Sequence, residues 1–179
     1  SSCAVCDGFF FKDKDLIVVG GGDSAMEEST FLTKFANKVT VVHRRDKLKA
    51  SKIMQEKAFK NSKIDFIWNS AVEDIRGEKE TGVKAVVLKN LVTNQTSERA
   101  CQGVFLAIGH NPNSEPFRGQ VETDEIGYIT TKNGTTATNI PGVFASGDVV
   151  DRRYRQAVTA AGMGCMAALD CEKYLESLH

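Results

Sequence analysis

The chain has 179 residues, of which 41% are hydrophobic and 26% charged, the composition of a globular protein. Lys+Arg and Asp+Glu balance at 23 each, which removes the case for nucleic acid or an anionic membrane as the main partner. No apolar run approaches the ~18 residues of a membrane-crossing helix.

Five cysteines is an odd count, and only Cys3 and Cys6 are closely spaced. A secreted disulfide scaffold is therefore not expected; a reducing, cytoplasmic setting is. The chain opens Ser1-Ser2-Cys3, with neither an initiator methionine nor a basic-then-apolar leader. Its apparent active site lies at the very edge, so the expectation is a piece of a longer polypeptide.

In chain order, Asp15–Val19 reads as a buried strand: short, continuous, apolar and followed at once by glycines. Residues 23 to about 36 read as a helix, with Ala25, Met26, Phe31, Leu32 and Phe35 at helical spacing and Glu27-Glu28 near its positive end. Val39–Val42 is the next strand, completing a right-handed parallel βαβ unit. A second helix is expected over 50–60 and a third strand over 64–68. Residues 71–77, 83–89 and 97–101 read as an antiparallel run, with Gly82 and Asn94 as turn signals. Val104–Ile108 is another apolar strand.

The texture changes at Gly109-His110-Asn111-Pro112-Asn113, a turn-rich joint, and the domain boundary is placed there: 1–109 and 110–179. Beyond it, 127–130 and 142–145 read as short strands. Tyr154 to about Ser177 reads as a long helix whose small residues, Ala160–Cys165, allow close packing. Cys101, Cys165 and Cys171 read as packing residues, and Trp68 and the phenylalanines as core.

Two motifs carry chemistry. Gly20-Gly21-Gly22-Asp23-Ser24-Ala25 fits G-x-G-x-x-A between a strand and a helix. Glycine there permits a tight turn and lets a pyrophosphate approach free N–H groups at a helix N-terminus. An NAD-specific site places an acidic residue about 20 residues on. Here that stretch is His43-Arg44-Arg45-Asp46-Lys47-Leu48-Lys49, whose cations suit a 2′-phosphate and favour NADPH over NADH. The alternative is a solvated basic helix start, where cations gain nothing.

The second motif is Cys3-Ala4-Val5-Cys6-Asp7-Gly8, a redox dithiol with a carboxylate placed to protonate a departing thiolate. Asp7 can also be a turn or cap residue. Half of a zinc site is the other reading of the cysteines, but it needs four ligands. No second pair has matching spacing, and His43, His110 and His179 form no ligand pattern, so no metal is expected. Near the end, Thr138–Asp148 closes a strand with Gly147-Asp148, which suits a carboxylate accepting from a sugar or polyol hydroxyl; the alternative is an ordinary strand–turn.

These motifs, with Gly109–Asn113 and Tyr154-Arg155-Gln156-Ala157, occur in one order over essentially all of the chain. In that ordered set the chain resembles the low-molecular-weight thioredoxin reductases. The resemblance implies an α/β architecture: a Rossmann-like, three-layer NADPH domain with an antiparallel β-meander over 1–109, then a partial Rossmann-like FAD domain over 110–179. It implies that Cys6 meets the flavin, that Cys3 attacks the thioredoxin disulfide and that Asp7 is the acid. Gly20, Gly21, Gly22, Asp23, Ser24, Ala25, His43, Arg44, Arg45, Lys49, Ile108 and Gly109 would bind NADPH. Gly147 and Asp148 would meet the ribityl chain of FAD, and Arg155, Gln156 and Ala157 would line its ring, at the N-terminus of the long helix. It further implies a homodimer, thioredoxin as partner, and rotation of one domain against the other.

Two features depart from the pattern. Lys49 stands where the basic motif usually ends in Arg, which loses the bidentate fork. The part carrying the family's FAD pyrophosphate turn is missing. The flavoprotein subunit of alkyl hydroperoxide reductase is a rival, though it usually prefers NADH. A nucleotide-binding module without catalysis is another.

Overall fold

The structure is a computed structural model that describes residues 1–132 and 134–178. The chain divides into two compact units, Ser1–Gly109 and a second beginning at His110.

The first unit is built on four parallel strands: β1 (Asp15–Gly20), β2 (Lys38–Val42), β3 (Ile64–Ile67) and β7 (Gly103–Ala107), in the order β3-β2-β1-β7. Continuous apolar sequence is what such strands need, because both faces are covered. On one face, Leu16, Val18, Val39, Val41 and Phe105 pack with Ala25, Met26 and Leu32 of helix α2 (Asp23–Leu32) and Ala58 of α3 (Lys52–Phe59). On the other, Ile17, Val42 and Val104 meet Val86 and Leu88 of an antiparallel meander and Cys101, which follows it. The meander comprises β4 (Ser70–Glu78), β5 (Gly82–Asn90) and β6 (Thr96–Ala100), in that spatial order. Helices, parallel sheet and meander make the three layers.

Element types match the sequence reading, and the boundaries shift. Helix α2 ends at Leu32 rather than near Ala36, because residues 33–35 form turns whose N–H groups reach back to Ser29, Phe31 and Leu32. The third strand stops one residue short of Trp68. Asn94 takes a left-handed conformation (φ 58°) in the β5–β6 turn.

The short helix α1 (Ala4–Asp7) precedes β1 and is anchored by Ser1. The Ser1 ammonium donates to the Val104 carbonyl at 2.9 Å, and the Leu106 N–H donates to the Ser1 carbonyl at 2.8 Å. The chain thus extends the β7 edge before turning into α1.

The second unit has a small core of Val121, Ile129 and Ala145, with Ile140, Val149 and Val150 packed on it. Here three expectations are corrected. The segments at 127–130 and 142–145 form single bridges, Thr123 to Ile129 and Ala137 to Phe144, rather than strands. The long helix α4 runs Ala157–Glu176, starting three residues later than Tyr154. The Asp151 carboxylate accepts the N–H groups of Arg153, Tyr154 and Arg155, holding these residues in a turn, with Arg155 at φ 49°. Finally, α4 buries none of its residues fully: in its small-residue stretch Ala160 lies against Gly147, whereas Cys165 is exposed rather than packed. Cys101 is fully buried. Among the phenylalanines, Phe105 is core, whereas Phe9, Phe10, Phe59 and Phe117 are exposed.

Among the described residues, no helix is long and apolar enough to cross a membrane.

Candidate functional site

Strand order reverses at β1: the chain passes to β2 on one side of it and returns as β7 on the other. Such a switch point leaves a crevice beyond the carboxyl ends of the two strands, where α/β sheets bind ligands. In register, Gly20 pairs with Ala107 at that crevice. A cavity of roughly 820 Å³ opens there, lined by Gly20, Gly21, Gly22, Ser24, His43, Arg44, Lys49, Ile108 and Gly109.

The glycine turn is shaped for close approach. Gly20 has φ 155°, and a Cβ on it would collide with the Ala107 carbonyl oxygen and come within 2.8 Å of the Ala25 Cβ. A Cβ on Gly21 would fall inside the His43 ring. Gly22 is the N-cap of α2, and a Cβ there would meet nothing within 4 Å. The backbone at Gly22 therefore faces open space at a helix N-terminus, as a phosphate cradle requires.

Of the sequence-predicted nucleotide residues, Ala25 is buried beneath the turn. Asp23 faces away from the cavity lining; its Oδ1 accepts the Ser51 N–H at 2.7 Å. Arg44 and Lys49 line the cavity, while Arg45 is exposed outside the lining. His43 is only 7% exposed, with Nε2 at 3.0 Å from the Lys47 carbonyl oxygen. The opposite wall, Ser70 to Ile75 of β4, has no counterpart in the sequence motifs.

In the same unit, Cys3 and Cys6 form a disulfide, with Cα atoms 5.3 Å apart. Cys3 is the N-cap of α1, its Sγ accepting the Cys6 N–H at 3.2 Å. Cys6 is exposed and Cys3 half-buried. Half-buried Asp7 ends α1, and its N–H donates to the Cys3 carbonyl at 3.1 Å. Val5, Phe9 and Phe10 stand 67%, 69% and 76% exposed in the same short stretch of chain. Among the described residues, no three His, Cys, Asp or Glu side chains gather in a metal-binding group.

In the second unit, Gly147 (φ 73°) opens a short turn that exposes Asp148, whose carboxylate makes no hydrogen bond or ion pair among the described residues. Gln156 caps α4 reciprocally with Thr159, and Ala157 is its first residue. Sequence reasoning missed Asp151, which is 7% exposed. Burial pushes its carboxyl up, but the N–H groups of Tyr154, Arg153 and Arg155 and the Thr159 hydroxyl outweigh this and hold it below the usual carboxylate range. The available signal was an Asp six residues before the first helical residue, outside the range of an ordinary helix cap.

A glycine turn opening on a cavity at a sheet switch point, with a Cys-x-x-Cys disulfide in the same unit, is the scaffold expected of a dinucleotide-linked disulfide oxidoreductase. The family described as pyridine nucleotide-disulphide oxidoreductase matches residues 1–164, and the chain belongs to it. A thioredoxin reductase of Streptomyces clavuligerus is 56% identical over 178 residues, which are 99% of this chain and 55% of that protein. One from Rickettsia conorii is 57% identical over 176 residues, covering 98% of this chain and 57% of its own length. The crystal structure of thioredoxin reductase from Streptococcus pyogenes superposes with TM-score 0.90 at 50% identity, over 99% of this chain and 57% of that one. The chain thus spans about half the length of the relatives it matches.

Proposed function

We propose that this chain is the pyridine-nucleotide and dithiol portion of an NADPH-dependent, FAD-containing thioredoxin-disulfide reductase that works as a cytoplasmic homodimer. The observation that carries the reading is the Cys3–Cys6 disulfide in one compact unit with a cavity lined by Gly20–Gly22 and the cations Arg44 and Lys49.

The residues present fit a 2′-phosphorylated dinucleotide. The cradle admits no Cβ at Gly20 or Gly21, and Gly22 leaves the first N–H groups of α2 open to a pyrophosphate. Arg44 and Lys49 supply charge for the 2′-phosphate. A carboxylate at that position would repel it.

For FAD the fit is partial. Asp148, exposed and unengaged, is available to accept from a ribityl hydroxyl. Arg155, Gln156 and Ala157 lead into α4, whose N-terminal dipole favours negative charge on the ring. When bound, these two groups supply a hydride donor and a two-electron relay. The chain's own part is the disulfide: its S–S bond accepts two electrons and two protons to give the Cys3 and Cys6 thiols. Asp7, at the end of α1, is assigned the delivery of a proton to the departing sulfur. A Cys3 thiolate then attacks the sulfur of a thioredoxin disulfide, and Cys6 resolves the mixed disulfide, restoring Cys3–Cys6 and releasing dithiol product.

The test is reduction of thioredoxin by NADPH in the protein completed to the length of its relatives, with its flavin spectrum recorded. Turnover with NADPH far above that with NADH supports the reading. A flavin-loaded protein that oxidises NADPH but leaves thioredoxin disulfide intact overturns it.

A further inference from the structure

The side chain of His43 lines the cavity between the glycine turn and the 44–49 segment. Its backbone is pinned at the end of β2: the N–H donates to the Ile67 carbonyl at 2.9 Å, and the carbonyl accepts from Ser70 at 3.0 Å. Its ring is buried, 7% exposed, with the Trp68 ring edge-on at 6.4 Å. One side of the ring fills the space beneath Gly21, so closely that a Cβ on Gly21 would overlap it. The other side reaches the Lys47 carbonyl, 3.0 Å from Nε2. A carbonyl can only accept, so Nε2 carries the proton.

Two backbone links, and a third to the Asp23 carboxylate, run in parallel with this ring. The Gly21 carbonyl accepts the N–H groups of Lys49 at 2.7 Å and Ala50 at 3.1 Å, and Asp23 Oδ1 accepts that of Ser51. Segment 44–51 is therefore folded onto the glycine turn, with the imidazole as the side-chain strut inside the fold. Take the ring away and the Lys47 carbonyl loses its donor, a void opens under Gly21, and the separation between the cradle and the Arg44 and Lys49 charges is no longer fixed.

We infer that His43 is a positioning residue for nucleotide selectivity: it braces the 44–49 loop against Gly21 through Lys47, rather than binding the 2′-phosphate itself. This rests on the nucleotide reading of the cavity. A ligand carrying both a 5′-phosphate and a 2′-phosphate needs cradle and cations at a fixed spacing. One lacking the 2′-phosphate needs the cradle alone. Losing the strut therefore weakens the first selectively.

The experiment is equilibrium binding of adenosine 2′,5′-bisphosphate and of 5′-AMP to the wild-type protein, His43→Leu and His43→Gln. Leu keeps the volume and removes the donor. Gln places an amide N–H near the Nε2 position and carries no charge. The expected result is a loss of about tenfold for the bisphosphate in His43→Leu, the scale of one hydrogen bond, with a smaller loss for 5′-AMP. His43→Gln should stay close to wild type for both. If His43→Gln binds the bisphosphate as poorly as His43→Leu, the imidazole is itself a ligand and the brace is wrong. Equal losses for the two probes, or no loss for either variant, also overturn it. If His43→Leu does not fold, His43→Met, which likewise carries no donor, takes its place in the same comparison. Wild-type protein that binds neither probe, or both alike, overturns the cavity reading and the brace with it, whereas wild-type selectivity with indifferent variants overturns the brace only.

Discussion

The Lys49 backbone N–H donates to the Gly21 carbonyl at 2.7 Å. This one bond joins the end of the basic segment to the middle of the glycine turn, 28 residues earlier in the chain. It brings a side chain that the sequence could only count as nearby into the wall of the same cavity as Gly20–Gly22. Arg44 arrives with it, and Arg45 does not.

Nucleotide preference should accordingly follow Arg44 and Lys49 more than Arg45. Replacing Arg44 or Lys49 by Ala should weaken NADPH by about 1.5–3 kcal/mol, the range for a lost charge-assisted bond, and leave NADH nearly unchanged. Lys49→Arg should tighten NADPH, since a guanidinium can grip a phosphate with two parallel donors. Isothermal titration with each nucleotide measures this. Equal losses for NADPH and NADH in the Ala variants would sink the assignment.

Gly21→Ala separates steric from electrostatic contributions at the same place. The added Cβ meets a ring that is itself buried, so either His43 or the turn must move. Both nucleotides should then bind at least about tenfold more weakly, as for a displaced cradle. Gly22→Ala, where a Cβ meets no protein atom, leaves the fold undisturbed but puts a methyl into the space left for the pyrophosphate, so it should weaken both nucleotides while unfolding near wild type. Equal loss of folding stability in the two variants would show that the turn is not shaped as described.

Much of this was legible in the chain. The βαβ pattern, the G-x-G-x-x-A turn and the antiparallel run each rest on local periodicity or glycine placement, and local signals transmit well. Three things were not local. The cavity wall at Ser70–Ile75 depends on the meander folding over the sheet. Asp23 reads as a cradle residue until Ser51, folded back from 28 residues on, takes its carboxylate. The start of α4 looks helical from Tyr154 by composition, yet Asp151 captures three consecutive N–H groups and delays it. In each case a contact across many residues, or a side chain competing with the backbone, overrode the pattern.

That competing carboxylate has a defined pH signature. Asp151 has a folded-state value held below the ordinary one by four donors. Its stabilising effect is thus fully present above the unfolded value near 3.9, and fades as pH falls through the lower folded one. Asp151→Asn keeps one acceptor oxygen and loses the other, which serves Arg155 and Thr159. It should cost about 1–3 kcal/mol near neutral pH. The gap between wild type and variant in denaturant unfolding should narrow steadily below pH 4. A gap that is constant with pH would mean that the charge is not what holds the turn.

The dithiol assignment predicts a split between two half-reactions. Exposed Cys6 and half-buried Cys3 share one short helix, with Asp7 at its end. In the flavin-loaded protein of full relative length, Cys3→Ser removes the thiol proposed to attack thioredoxin and leaves the nucleotide cavity untouched. NADPH should still bleach the flavin absorbance at close to the wild-type rate, while turnover with thioredoxin should fall by at least about a thousandfold, as for loss of a covalent nucleophile. Cys6→Ser should likewise abolish turnover, but with Cys3 free it should trap thioredoxin as a mixed disulfide, visible on a non-reducing gel, because no second thiol is present to resolve it. Phe9 and Phe10, exposed beside the pair in sequence, give an internal comparison. Ala at either should leave flavin reduction intact and alter only the thioredoxin half-reaction. Stopped-flow traces of flavin bleaching, set against steady-state turnover for the same four variants, distinguish the two steps. Normal thioredoxin turnover in Cys3→Ser would remove the disulfide from the pathway altogether.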